Sequence, residues 1–257
     1  MYKIDGKDLS EYGAIPAKSD GMTALSGVMS LPKRTGTTEY DWGTSIEPFV
    51  DAEDIELDGR KLTLCVTIKA DDTDLLSKIE AFKNACISCT SLTTDFGTFQ
   101  VTQKYEITVT KYVGVALITV PFWEQNYVVA TNDIKPSNSG SYMLDEYDLF
   151  KDFGISMSSS NGINNTSERI DVSTTLPYMA TAYRSAMDLS LTCKMFGESL
   201  ADLYQKITKF EALCISPGTH QIKCKNTSRT IYFKDGIDVK VEANTVLSFD
   251  LKCRVIQ

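Results

Sequence analysis

The chain is almost without histidine: of its 257 residues only His220 carries an imidazole. That scarcity removes the usual general base, because a Ser-His-Asp or Cys-His arrangement would have to run through this single side chain. No Gly-x-Ser-x-Gly elbow is present, and Gly-rich phosphate loops of both common types are missing, so neither a hydrolase nor a nucleotide site is assigned. No apolar run approaches the roughly 20 residues that a membrane helix needs, which predicts no membrane partner. The opening Met1-Tyr2-Lys3-Ile4-Asp5-Gly6-Lys7-Asp8 is polar and lacks the apolar stretch of a secretory leader, which predicts a protein made in the cytoplasm. Positive charge is in short supply too. Lys and Arg number 26 against 34 Asp and Glu, and the net charge of −8 opposes non-specific attraction to nucleic acid; no specific nucleic-acid binding is predicted.

The seven cysteines, at 65, 86, 89, 193, 214, 224 and 253, form an odd set without framework spacing, in a chain large enough not to need staples. They are expected to be reduced and buried. Cys86-x-x-Cys89 is the one ligand-like spacing, and no second Cys-x-x-Cys or His pair completes a zinc set. Asp51, Glu53, Asp54, Glu56 and Asp58 suggest calcium at first sight. They alternate with Ile55 and Leu57 as a strand with one solvated face would, and no EF-hand loop accompanies them. No catalytic, cofactor-binding or metal-binding residue is predicted, and no cofactor.

What the chain does contain is a repeat. Lys78-Ile79-x-x-Phe82-x-x-x-Cys86-Ile87-Ser88 returns as Lys206-Ile207-x-x-Phe210-x-x-x-Cys214-Ile215-Ser216, six identities in eleven positions at a constant offset of 128. Leu62-Thr63-Leu64 ahead of it answers Leu189-Ser190-Leu191. Gly97-Thr98-Phe99-Gln100-Val101 behind it is matched with Gly218-Thr219-His220-Gln221-Ile222, which pairs His220 with Phe99 and lets the offset fall to 121. In each half Leu62, Leu64, Val66 and Ile68, or Met187, Leu189, Leu191, Cys193 and Met195, alternate with more polar positions, as half-buried strands do. Leu75, Ile79, Phe82 and Cys86 then form one helical stripe, and Leu200, Leu203, Ile207, Phe210 and Cys214 another, with Asp71 to Asp74 and Ser199 offering capping oxygens. Hairpins are expected around Tyr112-Val113-Gly114 and Glu242-Ala243-Asn244-Thr245.

The predicted fold is mainly β (α+β): two tandem β-sandwich or barrel domains, each flanked by one helix and each with its own core. The first covers 1–128 with a helix near 73–87, the second 142–257 with a helix near 200–215. The polar stretch 129–141 is a linker or long loop, and the Ser- and Asn-rich 156–168 reads as a mobile loop. Met22, Leu25, Val28, Met29 and Leu31 make an apolar segment inside a polar connection. It is either a loop tucked onto its own core or a contact arm onto a neighbouring subunit. Trp42 and Trp123 lack counterparts in the second half, and are surface anchors or core filler.

Three stretches, Ile4-Asp5-Gly6-Lys7-Asp8-Leu9-x-x-Tyr12-Gly13, then Lys33-Arg34-Thr35-Gly36 before Asp41-Trp42, then the acidic Asp51 to Asp58 running into Leu62-Thr63-Leu64, resemble the N-terminal domain of bacteriophage distal tail proteins and related tail-tube proteins. The resemblance spans Tyr2 to about Phe122. It implies tail-tube-like domains whose subunits join edge to edge in a ring around a DNA channel, in the virion tail of a phage or prophage. Two such domains in one chain are also similar to tail hub proteins, so a hexameric ring and a trimer with pseudo-sixfold symmetry are both open. The implied partners are further copies of the chain and other tail proteins: tube, tape measure, and tail-associated fibre or lysin. The acidic residues 51, 53, 54, 56 and 58 would then face the lumen, where they would repel passing phosphates. The alternatives are a duplicated β-sandwich module for glycan or cell-surface binding and, more distantly, an enzyme using carboxylates alone.

Overall fold

The computed structural model describes residues 1–18, 22–42, 45–163 and 187–256. Strands dominate, and one long antiparallel pair forms the spine of each half. Arg60–Lys69 lies against Val115–Glu124 in unbroken register, from Lys69 opposite Val115 to Arg60 opposite Glu124. Met187–Phe196 lies against Val246–Ile256 in the same way, from Phe196 opposite Val246 to Met187 opposite Val255. Alternation decides which side is covered: Leu62, Leu64, Val66 and Ile68 in one strand, and Leu189, Leu191, Cys193 and Met195 in the other, are buried.

Around each spine the same elements follow in the same order. In residues 3–124 a small hairpin (Lys3–Ile4, Lys7–Asp8) leads through a 3-10 turn (Leu9–Tyr12) to Ala14–Pro16, which pairs with Arg60–Lys69. Helix α1 (Asp72–Ile87), the hairpin Ser91–Thr94 and Gly97–Gln100, and Thr108–Tyr112 on Val115–Glu124 complete this unit. In residues 142–256 the hairpin Tyr142–Leu144 and Tyr147–Asp148 leads through the short helix α2 (Leu149–Phe153) to Ile155–Asn161, which pairs with Met187–Phe196. Helix α3 (Leu200–Cys214), the hairpin His220–Cys224 and Thr227–Tyr232, and Val239–Ala243 on Val246–Ile256 follow. In both units the opening hairpin pairs with the first strand after the long helix. Both short helical turns start at an aspartate cap, Asp8 or Asp148, and end on a left-handed glycine, Gly13 (φ 68°) or Gly154 (φ 72°), where a side chain would be strained. The apolar stripes of α1 and α3 face their own spines. Phe82, Ile207 and Phe210 are completely buried, and Phe210 meets Phe153 and Phe249 ring to ring at 5.3 and 6.0 Å.

Several expectations need correction. The strand after α1 is Ser91–Thr94 and the strand after α3 is His220–Cys224, so Gly97-Thr98-Phe99 and Gly218-Thr219-His220 are not counterparts. The stretch His220-Gln221-Ile222 stands where Thr90-Ser91-Leu92 stands, because both segments are held by an aspartate at positive φ, Asp5 (45°) or Asp145 (54°). Asp5 accepts from the Thr90 and Ser91 amides, Asp145 from the Gln221 amide and His220 Nδ1. Ile155–Asn161 is a strand and not a loop: Ile155 is buried on the core side while serines occupy exposed positions that a sheet edge tolerates. Residues 164–168 of the expected loop lie outside the described residues. Asp71 sits at the cap of α1 but makes no side-chain cap bond. Finally, the two cores are not separate, since the buried side chains of both units form one continuous cluster. Leu31 and Ile237 join them through reciprocal backbone bonds of 3.0 and 3.1 Å.

Candidate functional site: the junction between the units and the exposed edges

The junction grows from the apolar segment after Ala14–Pro16. Leu25–Ser26 adds to the free side of Arg60–Lys69, opposite Leu64 and Thr63, and the chain then turns toward the second unit. Leu25, Val28, Met29 and Leu31 are buried within the chain and Met22 is half-buried. A subunit-contact arm is therefore corrected to an internal packing segment, because apolar side chains this enclosed offer no area to a neighbour. Ser30 Oγ accepts from the Val239 amide at 3.0 Å, and Leu25, Val28 and Met29 form an apolar cleft with Val239 and Val241. The Arg34 guanidinium donates to the carbonyls of Phe233 (3.3 Å), Phe49 (2.5 Å) and Asp54 (3.2 Å), tying three segments together. A second clamp lies further along, where Arg254 holds Glu39 through bonds of 3.0 and 2.6 Å and Asp188 at 3.1 Å.

Deep in the same junction sits a charge cluster that sequence reasoning missed. Arg60 pairs with Glu124 at 2.6 Å, both almost wholly buried, and donates to the carbonyls of Val28 (2.7 Å) and Ser30 (3.2 Å). Its guanidinium lies over the rings of Tyr127 (4.6 Å) and Phe99 (5.6 Å). The Tyr127 hydroxyl donates to Glu211 on α3 at 3.0 Å, and Tyr204, two helical turns earlier on α3, packs against Phe96 at 5.2 Å. One cation thus serves two enclosed carboxyls. Glu211 is completely buried and its Oε1 has no hydrogen-bond partner among the described residues. Burial pushes its pKa up to about 8, against the opposing pull of the Tyr127 hydrogen bond and the Arg60 charge. The cluster positions the units and brings no nucleophile to a cleft.

The acidic residues are placed differently from expectation. Asp51 to Asp54 form a turn closed by the Asp54 amide on the Asp51 carbonyl, and only Leu57 makes a bridge, to Arg34, so the segment is not a strand. Asp51, Glu53, Asp54, Glu56 and Asp58 are all exposed, while Ile55 and Leu57 pack on the core. His220 is buried beside Phe233 with its Nδ1 2.7 Å from Asp145. Burial alone would raise the Asp145 carboxyl, but the bonds from His220 and the Gln221 amide hold it below its ordinary value. Every cysteine is buried and outside any disulfide, and burial pushes the Cys89 thiol up to about 12. Among the described residues no group of three or more His, Cys, Asp or Glu side chains is arranged as a metal site.

Two features remain open to solvent. The hairpin Glu39–Asp41 with Ile46–Pro48 presents Tyr40 and Trp42, 51% and 61% exposed, with ring centroids 4.4 Å apart and Trp42 Nε1 donating to Glu47. Trp42 is a surface residue and not core filler; Trp123 is half-buried under Lys104. The strands Thr108–Tyr112 and Ile155–Asn161 stand at sheet edges with mostly exposed side chains.

No family model matches the chain, and no curated protein does. Among solved structures the chain is similar to the crystal structure of SPP1 Dit (gp 19.1), described as a paradigm of the hub adsorption apparatus in phages infecting Gram-positive hosts, at 16% identity and a TM-score of 0.32, over 98% of each chain.

Proposed function

We propose that the chain is a non-enzymatic structural subunit of a phage or prophage tail, forming a ring around a DNA channel at the tube end as a distal tail or baseplate hub protein. The observation that carries this reading is the recurrence of one set of elements and pairings in residues 3–124 and 142–256. We read this as an internal duplication into domains 1–128 and 142–257 joined by 129–141. A duplicated unit gives each chain two similar lateral surfaces, which suits tiling around an axis and is a poor starting point for a single active site. Exposed sheet edges are a hazard that such tiling would cover. The ring consists of six chains, or of three with pseudo-sixfold symmetry, and meets tube, tape-measure and fibre or lysin proteins in the virion tail. The exposed carboxylates of Asp51, Glu53, Asp54, Glu56 and Asp58 line its channel and keep DNA from adhering. Native mass spectrometry and electron microscopy of the purified chain are expected to show species of three or six copies with a central opening and the acidic turn on its inner wall. A strict monomer at every concentration would overturn the proposal.

The exposed Tyr40–Trp42 pair supports a second reading, a glycan-binding or cell-surface module, because neighbouring aromatic rings open to solvent suit the apolar face of a sugar ring. That reading requires glycan-array binding that Trp42→Ala abolishes; equal binding by the variant, or none by the parent, rules it out.

A further inference from the structure

The junction inside the chain joins unlike surfaces. The first unit contributes the side of its spine that carries Ala14–Pro16 and Leu25–Ser26, both laid along Arg60–Lys69. The second contributes the side that carries the edge strand Val239–Ala243. Ser30 takes up the Val239 amide, and Leu25, Val28 and Met29 line a cleft with Val239 and Val241, so that edge is engaged within the chain.

The corresponding edge of the first unit is open. Val109 stands opposite Ile118 as Val239 stands opposite Phe249, and Tyr112 opposite Val115 as Ala243 stands opposite Val246. Thr108, Thr110, Lys111 and Tyr112 are exposed, and no described residue pairs along the outer side of this strand. Among the described residues, the counterpart of the first unit's contributing side is open as well. Ile155 stands opposite Met195 as Ala14 stands opposite Ile68, and beyond it Ser158, Ser159, Ser160 and Asn161 are exposed on an uncharged end strand. Among the described residues each chain therefore carries one engaged pair of surfaces and one unpaired pair of the same kind.

We propose that the Thr108–Tyr112 edge receives a second copy of this chain, through the side of that copy's second unit that carries Ile155–Asn161. The contact repeats between chains the head-to-tail arrangement already present within one. Such a contact leaves one donor and one acceptor surface at the two ends of every oligomer, so it closes as a ring or grows as a filament. Strand-edge pairing supplies the backbone bonds and the row of threonines and serines accepts the remaining polar contacts. This inference rests on the ring reading above and specifies its contact.

The test is Val109→Pro in the full chain. By its correspondence to Val239, whose amide points away from the ladder to Ser30, Val109 directs its amide outward, and proline is tolerated there in a monomer. We expect Val109→Pro to keep the circular dichroism of the parent while raising the concentration for half-assembly about tenfold or more. A cross-linking arm covers failure of that variant to fold: a Thr110→Cys chain mixed with a Ser159→Cys chain is expected to give an oxidised heterodimer beyond the yield of either alone, since the native thiols are buried. If the parent assembles, Val109→Pro assembles equally and the mixture gives no extra cross-link, this contact is overturned while the ring stands. If Val109→Pro does not fold, the cross-linking yield alone decides. A parent that never assembles overturns both.

Discussion

Replacing Arg60 by alanine is expected to cost the fold about 3–5 kcal/mol, the range for removing one partner of a buried ion pair. The reason lies in what would be left behind. Glu124, 2.6 Å from Arg60 and almost wholly buried, would lose the counterion it has among the described residues, and the Val28 and Ser30 carbonyls would lose their donor. Glu211 would lose the charge that partly offsets its burial. The loss should appear as a lower urea midpoint with little change in slope. Replacing Arg60 and Glu124 together by methionine and leucine should restore much of it, because an apolar pair of similar volume asks for no counterion. A drop below 1 kcal/mol in the alanine variant would mean that water reaches the cluster.

The second large effect is one of pH. Glu211 takes up a proton on folding, because its pKa rises from the ordinary 4.5 to about 8. Folding is therefore favoured most below pH 4.5, as far as this group is concerned, and its contribution is lost as pH climbs toward 8. Glu211→Gln has no proton to take up. It retains the acceptor for the Tyr127 hydroxyl, and its amide nitrogen inherits an enclosed position already without a partner at Oε1. The variant is expected to be more stable than the parent by about 1–3 kcal/mol at pH 8 and no more stable at pH 4.5. Among the described residues, Arg60, Tyr127, Tyr204 and Cys214 are titratable groups that interact with this carboxyl, and Glu124 shares Arg60 with it. Parallel denaturation curves for the two proteins across that range would refute the assignment.

The spines and long helices were legible because their signal is local: alternation over Leu62 to Ile68 and a stripe over Leu75 to Cys86 each need only a dozen neighbouring residues. The match beyond the helices failed for a local reason as well. Gly97 turns the chain after a strand and Gly218 turns it before one, so two similar Gly-Thr pairs fall at different places in the hairpin. A better marker lay in Ile4-Asp5-x-x-Asp8-Leu9 against Leu144-Asp145-x-x-Asp148-Leu149, whose aspartates do the same two jobs in each unit. The buried cluster was out of reach. Glu211 sits beside the apolar stripe of α3 on a position that a solvated helix could equally have occupied, and what encloses it, Arg60 and Tyr127, is distant in sequence. Likewise, the apolar segment Leu25 to Leu31 could not reveal from composition whether its cover lay in the same chain.

At Gly236 the two halves touch main chain to main chain: a Cβ there would stand 2.3 Å from the Leu31 carbonyl oxygen and 2.8 Å from the Pro32 carbonyl carbon. Real Cβ atoms do not come so near to backbone, and the backbone has no rotamer with which to give way. The closeness of the two main chains at this point therefore depends on a missing methyl group, and any side chain placed here would have to push the Leu31–Lys33 backbone away.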